Sequence, residues 1–412
     1  MSHSLEEYEP VAGSASIRQL RQLGSRLAGL RVVHINSTRE GGGVAEILNW
    51  MVPLMREVGI DASWEVISGP PRFYEITKSI HNGLQGKPVQ LGTEDWAILR
   101  GVNAAWAEEH RESFKNTDVV IVHDPQPSPL IELCRNGTSK WIWRAHIDIN
   151  HPHRAVWKNL RTIVEKYDAS IFSMNAFAQP LPHPQYLVPP GIDPLSEKNC
   201  DISKRELKKV YEELGLDRTR PVLVQVSRFD HFKDPLGVIK AYQIVRRVAP
   251  VQLVLAGGGA SDDPEGKAVY EEVLEAARGD DDIHVLLLPP DAHRLVNSLQ
   301  RIADIVIQKS NKEGFGLTVA EAMWKAKPVI GGDTGGIRLQ VVNYRTGFLV
   351  STPEGAAHRI RFLLDHRRRR NRMGEIAREF VRENFLLTRD LRDYLTLVLA
   401  VARAESNRVI YI

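Results

Sequence analysis

The chain has 412 residues, and since domains usually run to roughly 100–200 residues, two domains are expected, or three. Its 54 Lys and Arg against 51 Asp and Glu leave +3, a surplus too small and too spread for the concentrated basic face that nucleic acid requires. With 43% hydrophobic residues it can bury ordinary cores, and Cys134 and Cys200 alone make neither a disulfide framework nor a four-thiolate zinc site.

The N-terminus is acidic at Glu6, Glu7 and Glu9 and lacks the apolar stretch of a secretory signal. No run of about 18 apolar residues exists to span a bilayer. The expectation is a cytoplasmic protein with neither membrane nor nucleic-acid partners.

The first apolar run, Leu30–Ile35, reads as a buried strand and opens into HINSTREGGGVAE, residues 34–46. Gly41, Gly42 and Gly43 let a backbone approach a ligand closely, and the helix that follows has free N–H groups suited to a phosphate. The pattern is not GxGxxG and lacks the lysine of a P-loop. A flexible strand-to-helix connection explains it equally well.

Val119–Val122, Trp141–Trp143 and Ser170–Phe172 read as the next strands. The first leads into His123-Asp124-Pro-Gln-Pro127 and the second into Arg144-Ala-His-Ile-Asp148. This places Asp124, His146 and Asp148 at the edge of a cleft. Such residues suit a metal, a proton transfer or sugar hydroxyls. No HExxH or paired Cys/His spacing accompanies them, and no GxSxG nucleophile elbow occurs. Trp141 and Trp143 alternate on their strand and read as core and cleft wall.

The series of strands breaks at residues 187–198, LVPPGIDPLSEK, whose prolines resist both helix and central strand. A domain boundary is expected there, dividing residues 1–190 from 191–385. A helix over Thr388–Ala404, in the remaining stretch 386–412, is expected to return to the first domain.

In the second half, Val222–Val226, Val251–Ala256, Ile283–Leu288, Ile305–Ile307 and Pro328–Ile330 read as strands. Stretches with helical periodicity, such as Pro235–Val248 and Pro264–Arg278, separate them. Near-continuous apolar strands alternating with helices imply parallel sheets covered on both faces. The fold class is therefore α/β, with two doubly wound domains whose ligands lie at the carboxyl ends of the strands.

The loop after Val226 carries Arg228 and Lys233, a forked guanidinium and a point charge able to neutralise a diphosphate, although solvated surface residues read the same way. After Ile305–Ile307 comes Glu313-Gly-Phe-Gly-Leu-Thr-Val-Ala-Glu321. With a helix starting near Leu317, Glu313 stays in the loop and Glu321 lies just over one turn in. The two acids can then contact different hydroxyls of one extended ligand. The basic run His366–Arg370 reads as a solvated helix end, where cations favour the C-terminus.

The glycine loop, the Arg228/Lys233 pair and the Glu313/Glu321 motif resemble the retaining GT-B glycosyltransferases of family four over most of the chain. The segments HINSTREGGGVAEIL, VPLMREVGIDA, TKSIHNGLQG, VHDPQPSPLIEL, WIWRAHID, PGIDPLSEKN and EGFGLTVAEAMW are similar to those of the trehalose glycosyltransferring synthases, with trehalose phosphorylases as near relatives. The terminal residues Asn407–Ile412 carry little of this likeness.

The resemblance implies two Rossmann-like domains and transfer of glucose from an NDP-glucose to free glucose, giving α,α-trehalose. It implies that Arg228 and Lys233 hold the donor diphosphate with the N–H groups of Gly42 and Gly43. Glu313 would take hydroxyls of the transferred glucose beside the amides of Gly314, Phe315, Gly316 and Leu317, and Glu321 would take the ribose. His146 would lie near the donor sugar, with Asp124, Glu40 and Asp148 toward the acceptor. It implies no cofactor and no metal, and a homodimer is a further expectation. Base contacts from backbone groups near Leu288–Ala292 would leave UDP, ADP and GDP undistinguished. The alternatives are a trehalose phosphorylase and a non-catalytic sugar-nucleotide binder.

Overall fold

Each apolar run of the sequence becomes a strand in one of two separate six-stranded sheets. The computed structural model describes residues 3–40, 42–135, 137–258 and 264–402. The first sheet comprises β1 (Arg31–Asn36), β2 (Asp61–Val66), β3 (Val119–His123), β4 (Lys140–Arg144), β5 (Ala169–Phe172) and β6 (Gln185–Leu187). The second comprises β7 (Val222–Val226), β8 (Gln252–Gly258), β9 (Ile283–Leu288), β10 (Ile305–Gln308), β11 (Val329–Gly332) and β12 (Gly347–Val350). All neighbouring strands are parallel.

The chain divides into two compact units, Met1–Gly191 with Leu387–Ile412, and Ile192–Leu386. In the first, the helix Leu387–Ala402 packs on the helices Ser14–Leu27 and Gly43–Glu57. Arg389 of that helix donates to the carbonyls of Pro189 and Pro190 at 2.6 and 3.0 Å. It thereby ties down two carbonyls of a segment in which prolines forbid helix.

Central strands are buried at every residue, β3, β5, β7, β10 and β11 among them, because helices cover both faces. Three strands have no counterpart in the apolar pattern: β2, β6 and β12. All three are sheet edges, and β2 and β6 are only partly buried, so they lack a continuous apolar run. Trp141 and Trp143 are both fully buried in one core layer with Val120, Val122 and Phe172. Residues two apart share a sheet face, so neither tryptophan is a cleft wall.

The basic run behaves differently from its sequence reading. A helix ends at Asp365 and a new one, Arg367–Asn384, begins inside the run. The arginines thus occupy a helix N-terminus, where the dipole disfavours them. Arg370 compensates by pairing with Asp304 at 2.8 Å, its side chain only 11% exposed, while Arg367, Arg368 and Arg369 stay exposed.

Strand order decides where chemistry can sit. The first sheet runs β2-β1-β3-β4-β5-β6 and the second β12-β11-β10-β7-β8-β9. The order reverses between β1 and β3 in one and between β7 and β10 in the other. Loops leaving the carboxyl ends of strands diverge at such a point and open a crevice.

Candidate active site

In the second unit the two loops at the reversal meet. The loop after β7 closes in a short 3-10 turn, His231–Lys233, held by the Asp230 carboxylate accepting from the N–H of Phe232 at 2.6 Å. Asp234 adopts left-handed φ of 49° and caps the helix Pro235–Arg246 by accepting from the N–H of Gly237 at 3.1 Å. Lys309 at the end of β10 pairs with Asp234. This bracing aims Lys233 across to the β10 loop, where its Nζ lies 2.8 and 2.7 Å from the two oxygens of Glu313. Ser310 donates to the same carboxylate at 3.1 Å.

Glu313 is therefore buried and fully engaged, not solvated. Arg228, from the same loop as Lys233, keeps its side chain 67% exposed and, among the described residues, pairs with Asp230 at 3.2 Å. Lys233 and Lys309 are thus each paired with a carboxylate, while Arg228 stays accessible.

The Gly-Phe-Gly segment that follows is shaped by close backbone approach. Gly336 donates to the Glu313 carbonyl at 3.1 Å, and Gln340 donates to that of Phe315 at 2.6 Å. A Cβ on Gly336 would lie 2.4 Å from the Phe315 Cα. Gly316, at φ of 83°, turns the chain into the helix Leu317–Trp324. The N–H groups of Gly314, Phe315, Gly316 and Leu317 find no acceptor among the described residues, as expected where a helix begins.

Glu321 lies in that helix, 1% exposed, with the Lys198 ammonium 4.0 Å from one oxygen. Lys325, one turn on, bonds the Asn199 side chain at 2.8 Å and the Glu321 carbonyl at 3.1 Å. Burial pulls Lys325 down to about 7, against the attraction of Glu321. The sequence reading had no signal for Lys198, Lys325 or Ser310.

In the first unit the corresponding loops follow β1 and β3. After β1, Asn36 accepts from the indole of Trp64 at 2.8 Å and donates to the Thr38 carbonyl at 2.8 Å, while Arg39 stacks over Trp64. Gly42, at φ of 85°, leads into Gly43 and the helix Gly43–Glu57, with Glu40 exposed just before it. Gly41 lies outside the described residues.

After β3, Asp124 has left-handed φ of 64°. One of its oxygens accepts from the backbone N–H of His146 at 2.8 Å, and its carbonyl accepts from the Trp143 indole at 3.0 Å. Burial pushes Asp124 up to about 6, opposed by the His146 amide and the Arg144 charge. Asp148 is buried and closes its own turn by accepting from Asn150 at 3.0 Å.

The structure therefore brings Asp124 and His146 into contact, while Glu40, Gly42 and Gly43 belong to the neighbouring β1 loop. It also shows what the sequence did not. Nδ1 of His34 lies 3.0 Å from Nε2 of His123, and Nδ1 of His123 lies 2.8 Å from Nε2 of His146. A histidine at or near the end of three strands was the available signal, useful only once β1, β3 and β4 are known to be neighbours. No group of three or more His, Cys, Asp or Glu side chains able to hold a metal ion occurs among the described residues. No helix of the described residues is long and apolar enough to cross a membrane.

A family model of the trehalose synthase N-terminal domain matches residues 34–179, and one of the group 1 glycosyl transferases matches residues 208–380. Trehalose synthase of Thermococcus litoralis is 45% identical over 399 residues, covering 96% of each chain. Trehalose phosphorylase of Pleurotus pulmonarius is 27% identical over 97% of this chain but only 61% of its own. Among solved structures, the UDP-forming α,α-trehalose-phosphate synthase of Burkholderia xenovorans, in complex with glucose-6-phosphate, superposes with a TM-score of 0.72. That likeness covers 90% of this chain and all of the other at 15% identity, so it speaks for the fold alone.

Proposed function

Because this chain belongs to the trehalose synthase family of glycosyltransferases and has their GT-B fold, we propose that it is a retaining enzyme moving glucose from an NDP-glucose to free glucose, forming α,α-trehalose. The observation that carries this reading is the Lys233–Glu313 pair with Arg228 beside it, next to the four unengaged N–H groups of residues 314–317. A diphosphate competes for Lys233 and takes Arg228 outright. Glu313, released from its ammonium, then accepts hydrogen bonds from glucose hydroxyls.

Breaking the bond between the anomeric carbon and the diphosphate oxygen sends its electron pair to the diphosphate. Cations and amides already in place stabilise that charge without reorganising. The N–H groups of Gly42 and Gly43 add to them. The acceptor hydroxyl attacks from the same face, and its proton passes to an oxygen of the departing diphosphate. Glu321 takes the ribose hydroxyls, His146 lies beside the donor sugar, and Asp124, Glu40 and Asp148 serve the sugar acceptor. Lys233 and Arg228 supply the charge a divalent ion supplies elsewhere, so activity is expected to survive EDTA.

The test is trehalose formation from glucose with UDP-, ADP- and GDP-glucose. Glu313→Ala and Lys233→Ala are expected to abolish it while circular dichroism stays that of a folded chain. Wild-type turnover in either variant would sink the assignment. Trehalose formed only from glucose 1-phosphate would replace this reading with a phosphorylase.

A further inference from the structure

Three imidazoles lie in line across the middle of the first sheet, and the roles given above use only one of them. His34 belongs to β1, His123 ends β3, and His146 follows β4. Their rings stack in sequence, with centroids 5.3 and 5.1 Å apart and planes 21° and 22° from parallel. Each contact joins Nδ1 of one ring to Nε2 of the next.

Burial holds His34 down to about 3, and burial with neighbouring positive charge holds His123 and His146 well below their usual value. Every ring is therefore neutral near pH 7 and carries one N–H. The middle ring can then donate in one direction only. Either all three protons sit on Nδ1, or all three sit on Nε2.

The outer end of the chain separates the two registers. Nε2 of His34 is buried and has no hydrogen-bond partner among the described residues. With protons on Nε2, an N–H would be buried there without an acceptor. With protons on Nδ1, only a lone pair goes unused. Orphaned buried N–H groups are the rarer and costlier defect. The Nδ1 register then leaves one spare donor, Nδ1–H of His146, which has no partner among the described residues.

We propose that His34 and His123 are positioning residues that lock His146 in its Nδ1–H tautomer, so that it meets a sugar oxygen as a hydrogen-bond donor and has no lone pair to act as a base. This rests on the reading that His146 touches the sugar. It leaves the acceptor's proton to the departing diphosphate.

The lock is tested apart from the activity. In two-bond proton–nitrogen spectra of the full chain labelled with ¹⁵N-histidine, assigned by difference from His146→Gln, His146 is expected as a single Nδ1–H tautomer near pH 7. A single Nε2–H tautomer, or a mixture, overturns the proposal whatever the substrate proves to be.

His123→Phe keeps the stacking and removes both ring-to-ring bonds. It is expected to give mixed His146 tautomers and to lower kcat about tenfold or more, the scale on which losing the partner of a catalytic imidazole acts. His123→Gln, with one donor and one acceptor, is expected to recover most of that loss. Unchanged tautomer and kcat in His123→Phe would refute the lock. Should that variant not fold, His34→Phe removes the outer bond alone and is judged by the same spectrum. A wild-type chain that shows the tautomer but makes no trehalose would instead refute the functional reading.

Discussion

At the reversal of strand order in the first sheet, three neutral imidazoles bond to one another; at the same point in the second, an ammonium grips a carboxylate. The same topology thus positions two opposite kinds of electrostatics. In the first unit burial removes charge, holding the histidines neutral and pushing Asp124 and Asp390 up to about 6. In the second, Lys233 and Glu313 keep 16% and 9% of their side chains exposed and remain paired charges. A site that must meet a diphosphate needs cations ready in place. One that meets uncharged sugar hydroxyls works with neutral donors and acceptors of fixed direction.

The sharpest way to break this contrast is to exchange the charged pair. Lys233→Glu with Glu313→Lys keeps an ion pair, so the melting temperature is expected to stay near wild type. Transfer should fall by at least roughly 100–1000-fold, as when a preorganised charge-stabilising group is lost. Retained activity, measured as trehalose formed, would show the pair to be structural only.

Next in size is a comparison of two glycines. In the second unit a Cβ on Gly336 meets backbone atoms at 2.4 and 2.5 Å, which cannot yield. Gly336→Ala is expected to cost about 1–3 kcal/mol in urea unfolding and to lower kcat/KM by displacing the Phe315 loop. In the first unit Gly42 has positive φ but, among the described residues and apart from its chain neighbours, nothing lies within 4 Å of its would-be Cβ. At φ 85° and ψ 158° Gly42 occupies a region essentially reserved for glycine, so Gly42→Ala is expected to cost about 1–3 kcal/mol through backbone strain and not through a clash.

The pH responses should separate the units as well. A histidine whose folded value is lowered stabilises fully above 6.5 and loses that contribution as pH falls toward the folded value. His34, His123 and His146 all act in that sense. Asp124 and Asp390, raised to about 6, act oppositely, losing their contribution as pH rises from about 4 to 6. Three groups oppose two, so the first unit should weaken on acidification below about 6.5. Lys325, lowered to about 7, makes the second unit gain stability from pH 7 toward 10. Hydrogen exchange of β3 and β7 peptides across pH 4–9 would read the two windows, and protection changing over the same pH range in both would contradict them.

The smallest expected effect lies in the basic run. Arg370→Ala should cost about 1 kcal/mol through its pair with Asp304. Arg367→Glu should stabilise its helix by about 0.3–1 kcal/mol, because it places an acid at a helix start. Thermal unfolding of both variants checks the sign.

Central strands such as β3 and β7 were legible in the sequence because burial on both faces demands unbroken Val and Ile. The edge strands β2 and β6 were not, since they are only partly covered and tolerate Asp61, Glu65 or Gln185, whereas β12 is mostly buried but only four residues long. The start of the helix Leu317–Trp324 was legible from its glycines. Two helices meeting at His366 were not, because no proline or glycine marks the break.

Local sequence determined which loops carry polar groups and that glycines open the two critical helices, because propensity and backbone freedom act over a few residues. It could not determine that Lys233 bonds Glu313, 80 positions away, or that His34 reaches His146 through His123. Those contacts exist because β10 lies beside β7, and β1 beside β3. Strand order is settled by packing whole helices onto both faces of a sheet, a property of the assembled unit that no single segment contains.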